Sequence, residues 1–323
     1  MTEHATALIY VAPGRAELRR VDLPPLGPGA VEVETRFSAL SRGTERLVAA
    51  GRVPESERER MRAPFQEGDF PFPVKYGYAA AGTVVAGPDA LLGRDVFALH
   101  PHQDRFRVPA GAVVPLPPDV PAGRAVLGAN AETALNALWD AEPLSGMRVL
   151  VVGAGLLGSL VAMFLSSLQD VAVTVTDTVE ETGAIFADFP VKFRRAGEAG
   201  GDYDLVFHSS ASAEGLATAL DALAFEGTCI ELSWYGAGAV PVPLGGAFHA
   251  RRLTLKASQV GHVAPSRRTT TSRAERLAQA IGRLADPRLD RLVTEQVAFS
   301  DLPAAIPRLL APDAPGIATR VVY

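Results

Sequence analysis

Arg148-Val149-Leu150-Val151-Val152-Gly153-Ala154-Gly155-Leu156-Leu157-Gly158 is an apolar, β-branched run that stops at a glycine and passes straight into the helical pattern of 156–168. Each glycine answers a separate physical need. Gly153 permits a tight turn, Gly155 lets a pyrophosphate approach the backbone, and Gly158 lets helix and strand pack closely. The helix start adds unpaired N–H groups and the positive end of the helix dipole. Gly153, Gly155, Leu156, Leu157 and Gly158 therefore read as a phosphate cradle for a dinucleotide. Alone, Gly-x-Gly-x-x-Gly is a weak signal; between a strand and a helix it is a strong one.

Downstream, Val171-Ala172-Val173-Thr174-Val175-Thr176 predicts a second strand, ended by Asp177. A carboxylate there accepts hydrogen bonds from the adenosine ribose and repels a 2'-phosphate, which predicts NAD over NADP. Arg194 and Arg195, after a third strand, could fold back toward a phosphate and keep NADP open. Tyr203 to Phe207, 228–232 and Leu253 to Ala257 read as further strands, and Leu216 to Leu223 as a helix. This alternation predicts βαβ units and a doubly wound parallel sheet. The single cysteine, Cys229, lies in one of these apolar runs and reads as a small core side chain. One cysteine excludes an intramolecular disulfide and a multi-cysteine zinc lobe.

Upstream the texture differs. Residues 1 to about 120 are rich in Pro and Gly, with short runs such as the alternating Ala30-Val31-Glu32-Val33-Glu34-Thr35 and Ala81-Gly82-Thr83-Val84-Val85, the pattern of an irregular antiparallel β domain. Pro54 to Met61 predicts a short exposed helix, and Ala122 to Ala141 a helix bridging two domains. Ser272 to Leu284 predicts an amphipathic helix, followed by strand-like pieces at 293–299 and 318–323. The expected division is 1–122 with 263–323 as one domain and 123–262 as the nucleotide domain. A formal net charge of −5 gives no basic face for nucleic acid, and the pairs Arg251-Arg252 and Arg267-Arg268 read as solvated surface. No apolar run approaches ~18 residues, and the start lacks the pattern of a signal peptide, so a cytoplasmic protein off the membrane is expected.

A β-rich first domain, a bridging helix, a Rossmann domain and a short C-terminal return resemble the medium-chain dehydrogenase/reductase superfamily over essentially the whole chain. The resemblance implies an α/β protein with a GroES-like irregular β-barrel domain beside a Rossmann doubly wound parallel sheet, and a homodimer joined through the Rossmann sheet edge. Three segments carry it besides the glycine motif. Ser38-Ala39-Leu40-Ser41-Arg42-Gly43-Thr44-Glu45 looks like the segment that supplies a cysteine ligand in zinc alcohol dehydrogenases, and Pro73 to Gly82 looks like their Gly-His-Glu segment. Ala131-Glu132-Thr133-Ala134-Leu135 resembles the Glu-Pro-Leu ligand segment of polyol dehydrogenases. The cysteine position is Ser41 or Arg42, the histidine position is Tyr78 and the neighbouring glutamate position is Ala79. Only Glu132 survives as an oxygen ligand, and one carboxylate does not make a zinc site. The Ser-Arg-Gly-Thr-Glu wording resembles zinc-free branches, including bacteriochlorophyllide-type dehydrogenases and two-domain oxidoreductases of polysaccharide gene clusters.

Without zinc, a side chain must move the proton while the nicotinamide carries the hydride. Tyr78 stands at the vacated ligand position, with Lys75 close enough in sequence to lower its pKa unless strand alternation turns it away. His102, with His100 beside it, lies in the loop that replaces the zinc lobe, and histidine is the usual general acid or base at neutral pH. Ser41 and Thr44 are candidates to bind substrate oxygen or the nicotinamide ribose, and Glu45 to pair with Arg42 or Arg46 at the surface. Glu132, if buried, requires a basic or polar partner. His208 and Ser209 end one strand, and Ser233 and Trp234 follow the next, where doubly wound sheets bind ligands. Tyr235 is a pocket-lining candidate, and His262 is expected at the cleft or dimer edge. The reading is a zinc-independent oxidoreductase acting on a polar secondary alcohol or ketone. An enone (quinone-type) reductase and a non-catalytic nucleotide-binding member are the alternatives.

Overall fold

In strand β1 (His4–Ala12) the side chains of Ala5, Ala7, Leu8 and Tyr10 are buried, and in strand β3 (Ala30–Leu40) those of Val31 and Val33. Burying each large aliphatic side chain contributes about 1.5–3 kcal/mol, and the pleat presents alternate residues to the core. The computed structural model describes residues 3–323 and divides them into two units, the chain up to Ala129 with Leu277–Tyr323, and Asn130–Arg276.

The first unit continues with β2 (Arg15–Asp22), helix α1 (Arg42–Ala49), β4 (Glu67–Gly68), β5 (Val74–Lys75), β6 (Ala80–Ala86), β7 (Asp95–Ala98), β8 (Arg105–Pro109), β9 (Val113–Pro115) and helix α2 (Ala122–Ala125). One sheet runs β2-β1-β5-β4; a second contains β3, β6, β7 and β9, with β8 also on β3. Val31, Val33, Val84, Val96, Phe106 and Val108 fill the core of this second sheet.

The run Ala122 to Ala141 is two helices, because the chain breaks at Val126-Leu127 before α3 (Gly128–Ala141). At the restart packing leaves room only for a glycine: a Cβ on Gly128 would lie 2.4 Å from the Ile281 side chain. Pro54 to Met61 forms only a 3₁₀ turn over Glu55–Glu57. It has no apolar stripe to bury, and so short a helix does not persist without one.

The second unit alternates strand and helix as its pattern predicts, but the helix expected over 216–223 lies at 213–221 and the strand expected over 228–232 begins at Leu223. β10 (Arg148–Val152), α4 (Leu156–Leu165), β11 (Ala172–Asp177), β12 (Val191–Arg195), β13 (Tyr203–His208), α5 (Ala213–Asp221), β14 (Leu223–Glu231), a short helix α6 (Ala247–Ala250) and β15 (Thr254–Ala257) follow in order. All six strands are parallel, in the order β12-β11-β10-β13-β14-β15. That order reverses between β10 and β13, the switch point where doubly wound sheets bind nucleotides. Cys229 is buried with Leu150, Val206 and Leu220, and burial pushes its thiol up to about 12, so it is an inert core residue.

Helix α7 (Arg273–Gly282) opens with a capping box, Glu275 N donating to Ser272 Oγ at 3.2 Å and Ser272 N to Glu275 Oε2 at 2.7 Å. β16 (Val293–Ala298), helix α8 (Leu302–Leu309) and β17 (Ala318–Val322) then complete the second sheet of the first unit, β17 pairing with β3. The chain crosses between units within α3 and α7. Among the described residues no helix is long and apolar enough to cross a membrane.

Candidate dinucleotide and proton-transfer sites

At the end of β10 the backbone turns at Gly153 with φ +104°, a conformation L side chains rarely adopt. A Cβ on Gly153 would meet Ser210 N at 2.8 Å, and one on Gly158 would meet Gly153 O at 2.0 Å. Gly155 is different: its Cβ would find nothing within 4 Å. The protein's own packing does not demand the middle glycine, and the open space beside it is what a ligand approaching the backbone requires. No side chain caps α4, which leaves the N–H groups of Leu156, Leu157 and Gly158 without intrahelical acceptors. Ser209 ties the loop down from the next strand, its Oγ donating to Gly153 O at 3.1 Å.

Asp177 ends β11 beside this loop, its carboxylate accepting from Ala154 N at 2.6 Å and Val179 N at 2.9 Å. Arg194 and Arg195 lie on β12 in register with Thr176 and Asp177, and Arg195 is exposed, 3.9 Å from Glu180. An open glycine, uncapped helix amides and a carboxylate at the neighbouring strand end fit a dinucleotide.

In the first unit, Tyr78 donates its hydroxyl to Ser41 Oγ. Burial pushes the Tyr78 phenol up to about 12, aided by the Glu45 charge and opposed by hydrogen bonds with Ser41 and Thr44. Tyr78 therefore holds its proton at neutral pH. Lys75 does not lower it, since its ammonium is buried against Glu67 and Gln103 Oε1, the latter at 2.9 Å.

Glu45 is not at the surface and does not pair with Arg42 or Arg46. It is 0% exposed, and its carboxylate is bonded to Ser41 N at 2.8 Å, Tyr10 Oη at 2.9 Å and His102 Nε2 at 3.1 Å. Arg42 and Arg46, one turn apart on α1, instead donate to the carbonyls of Gly316 and Ala311, each at 2.8 Å.

His102 is likewise no solvated loop residue. It is 1% exposed, with Nδ1 2.7 Å from Ser38 Oγ, which is 3.0 Å from Tyr323 Oη. Both ring nitrogens are thus engaged within the protein. His100 stacks on Phe106 at 3.9 Å, and burial pushes its imidazole down to about 3, so it is neutral.

Glu132, in the second unit, has the basic partner its burial requires. Arg276 donates from Nε and Nη2 to Glu132 Oε1, both at 3.0 Å, and also to Asn136 Oδ1, His262 O and Val260 O at 2.6, 3.0 and 2.6 Å. Burial raises the Glu132 pKa against the opposing pull of Arg276. His262 contributes its carbonyl, while its side chain is exposed. Arg276 was not a sequence candidate; its only signal is Glu132 itself, which needs a cation or polar partner once buried.

The positions that the family resemblance gives to zinc do not fit the ion. Tyr78 and Ser41 bind one another, Arg42 is a cation directed at carbonyls, and Glu132 is taken by Arg276. Among the described residues no three His, Cys, Asp or Glu side chains group so as to hold a metal ion.

At the ends of β13 and β14, His208 is fully buried, with Nδ1 2.8 Å from Glu231 Oε2 and Nε2 2.7 Å from Ser210 Oγ. Ser233 N and Tyr235 Oη also donate to Glu231, at 2.7 and 3.2 Å, and Ser233 Oγ accepts from Ala211 N at 3.1 Å. Trp234 is half-buried between them. Ser210 and Glu231 were not among the sequence candidates.

No family model matches the chain. The 2-desacetyl-2-hydroxyethyl bacteriochlorophyllide A dehydrogenase of Cereibacter sphaeroides is 32% identical over 177 residues, covering 49% of this chain and 51% of that protein, so the match spans about half of each. A protein of Sinorhizobium meliloti described as a zinc-binding dehydrogenase, solved with NADP, superposes with a TM-score of 0.78 at 16% identity, over 99% of this chain and 100% of that one. A short chain alcohol dehydrogenase of Escherichia coli complexed with NADH gives 0.77 at 15% identity over 99% of both chains. The chain thus has the α/β fold of these dehydrogenase structures, with a parallel sheet as in a Rossmann domain.

Proposed function

We propose that the chain is an oxidoreductase that transfers a hydride between a nicotinamide dinucleotide, NAD in preference to NADP, and a polar secondary alcohol or ketone, without zinc. The observation that carries this reading is the open space at Gly155, set between the uncapped start of α4 and the Asp177 carboxylate. The solved relatives that bind NADP and NADH, and the half-length match to a bacteriochlorophyllide dehydrogenase, support the same chemistry. A homodimer acting in the cytoplasm on a small molecule belongs to the reading.

The bound nicotinamide supplies or accepts the hydride. The chain's own residues handle the proton. Tyr78 keeps its phenolic hydrogen at neutral pH and gives it to a substrate oxygen as negative charge grows there. The Ser41 and Thr44 hydroxyls beside it donate hydrogen bonds that stabilise the phenolate until it takes up a proton from water. Glu45, bonded to Ser41 N, fixes the start of α1 and thus the Ser41 position. This polar group favours an alcohol or ketone over an enone, whose carbon accepts the hydride without such help.

Calorimetry with NADH tests the cofactor site. Gly155→Asp has room for its Cβ and should fold as the wild type does while losing NADH binding, because its carboxylate meets the pyrophosphate. Unchanged affinity overturns the assignment. A screen of NADH oxidation against ketones and enones tests the rest. Ketone turnover should fall ~10²-fold in Tyr78→Phe with NADH affinity unchanged. Turnover of enones alone would make the chain an enone reductase, and NADH binding without any turnover would make it a non-catalytic nucleotide binder.

A further inference from the structure

The second unit holds a serine, an imidazole and a carboxylate in series, to which the proposed proton transfer assigns no role. Ser210 is exposed, and its Oγ lies 2.7 Å from Nε2 of the buried His208. The other ring nitrogen, Nδ1, lies 2.8 Å from Glu231 Oε2. A carboxylate can only accept, so the geometry assigns the ring hydrogen to Nδ1 and leaves Nε2 to accept the Ser210 proton. Glu231 is held by Ser233 N and Tyr235 Oη as well. Although burial works against it, the His208 contact and the Ser233 amide hold its carboxyl below the usual carboxylate range.

Two further observations show that the arrangement is built. A Cβ on Gly215 would come within 2.1 Å of Ser210 Oγ and 2.9 Å of His208 Nε2, so only glycine leaves room for the hydroxyl to meet the ring. Ala211, which follows Ser210, has φ +53°, a strained value for a residue with a side chain, and its N–H is pinned to Ser233 Oγ. The strand β13 thus passes through a tight turn into α5, with Ser210 on the turn. Ser210, just before the strained residue, is exposed while its hydroxyl meets the His208 ring.

We propose that Ser210 is an activated nucleophile and that the second unit hydrolyses small activated carboxylic esters through Ser210, His208 and Glu231. Ser210 Oγ bonds to the ester carbonyl carbon as its proton passes to His208 Nε2. The carbon–oxygen bond to the alcohol then breaks, and the alcohol leaves with that proton. Water adds to the acyl-serine, again giving a proton to His208, and the carboxylic acid departs as Ser210 regains its hydrogen. Glu231 stays ionised throughout and supports the charged ring. The oxyanion has donors at hand: Ser212, the α5 N-cap, lies 3.0 Å from Ser210 Oγ and accepts from Gly215 N, which leaves the Ala213 and Glu214 amides without intrahelical acceptors.

The test uses the full chain without nucleotide, so a failure of NADH binding leaves it untouched. A fluorophosphonate probe should label one residue, Ser210, located by peptide mass spectrometry, and p-nitrophenyl acetate should be hydrolysed with turnover. His208→Gln and Gly215→Ala, checked for folding by circular dichroism, should each slow both reactions at least ~10²-fold. A wild type that resists the probe, a label on another serine, or labelling of Ser210 that His208→Gln leaves unchanged overturns the proposal. The wild-type labelling decides the matter even where a variant does not fold.

Discussion

At the scale of single residues, burial decides what the polar groups can do. His100 is neutral because its ring lies in the core against Phe106, with Nδ1 donating to Pro101 O at 3.0 Å. Its folded pKa is pushed from 6.5 down to about 3. Between those values the unfolded chain binds a proton that the folded chain does not, so acid favours unfolding. Stability should therefore fall as pH drops below about 6.5, with a slope from this group of up to ~1.4 kcal/mol per pH unit. His100→Phe keeps the stacking and should flatten that slope; urea unfolding at pH 7, 6 and 5 measures it, and an unaltered slope would mean His100 takes up its proton while folded. That Glu132 requires a partner if buried was legible in the sequence; that it is buried was not, because its helix also carries Asn136 and Asp140 and an exposed glutamate there would need no partner. The burial of Glu45 was not: Arg42 and Arg46 offered nearer charges, and the groups that claimed it, Tyr10 on β1 and His102 in the loop before β8, lie far away in the sequence.

At the scale of elements, the β10–α4 turn separates two kinds of glycine. Gly158→Ala puts a methyl 2.0 Å from Gly153 O, so the backbone must shift. Overpacking of this kind costs about 1–3 kcal/mol, and thermal denaturation should show it, whereas Gly155→Asp should melt near the wild type. At the next strand end, Asp177→Ser removes the charge that repels a 2'-phosphate and leaves Arg194 and Arg195 on the adjacent strand. The wild type should bind NAD at least about tenfold more tightly than NADP, and the variant should narrow that gap. Tighter wild-type binding of NADP would mean that the arginines outweigh the carboxylate. The parallel strands were readable because their apolar runs are continuous and bounded by turns. The break before Gly128 was not, since apolar residues run through it at helical spacing.

Across the whole molecule, the fold is that of alcohol dehydrogenases while the side chains at the ligand positions of zinc relatives bind one another or arginine. The purified protein should contain far less than one zinc per chain and keep its activity in a strong chelator; stoichiometric zinc lost together with activity would refute this. The Arg276–Glu132 pair has a consequence for how the chain assembles. Glu132 stands near the beginning of the second unit and Arg276 is its last residue, so the unit is a long insertion whose two ends are clasped together. An unclasped insertion would tax the first unit with the loop-closure entropy of all its residues. Clasped, it behaves toward the first unit as a short bridge, and Leu277–Tyr323 can return to the β3 sheet as though little chain had intervened.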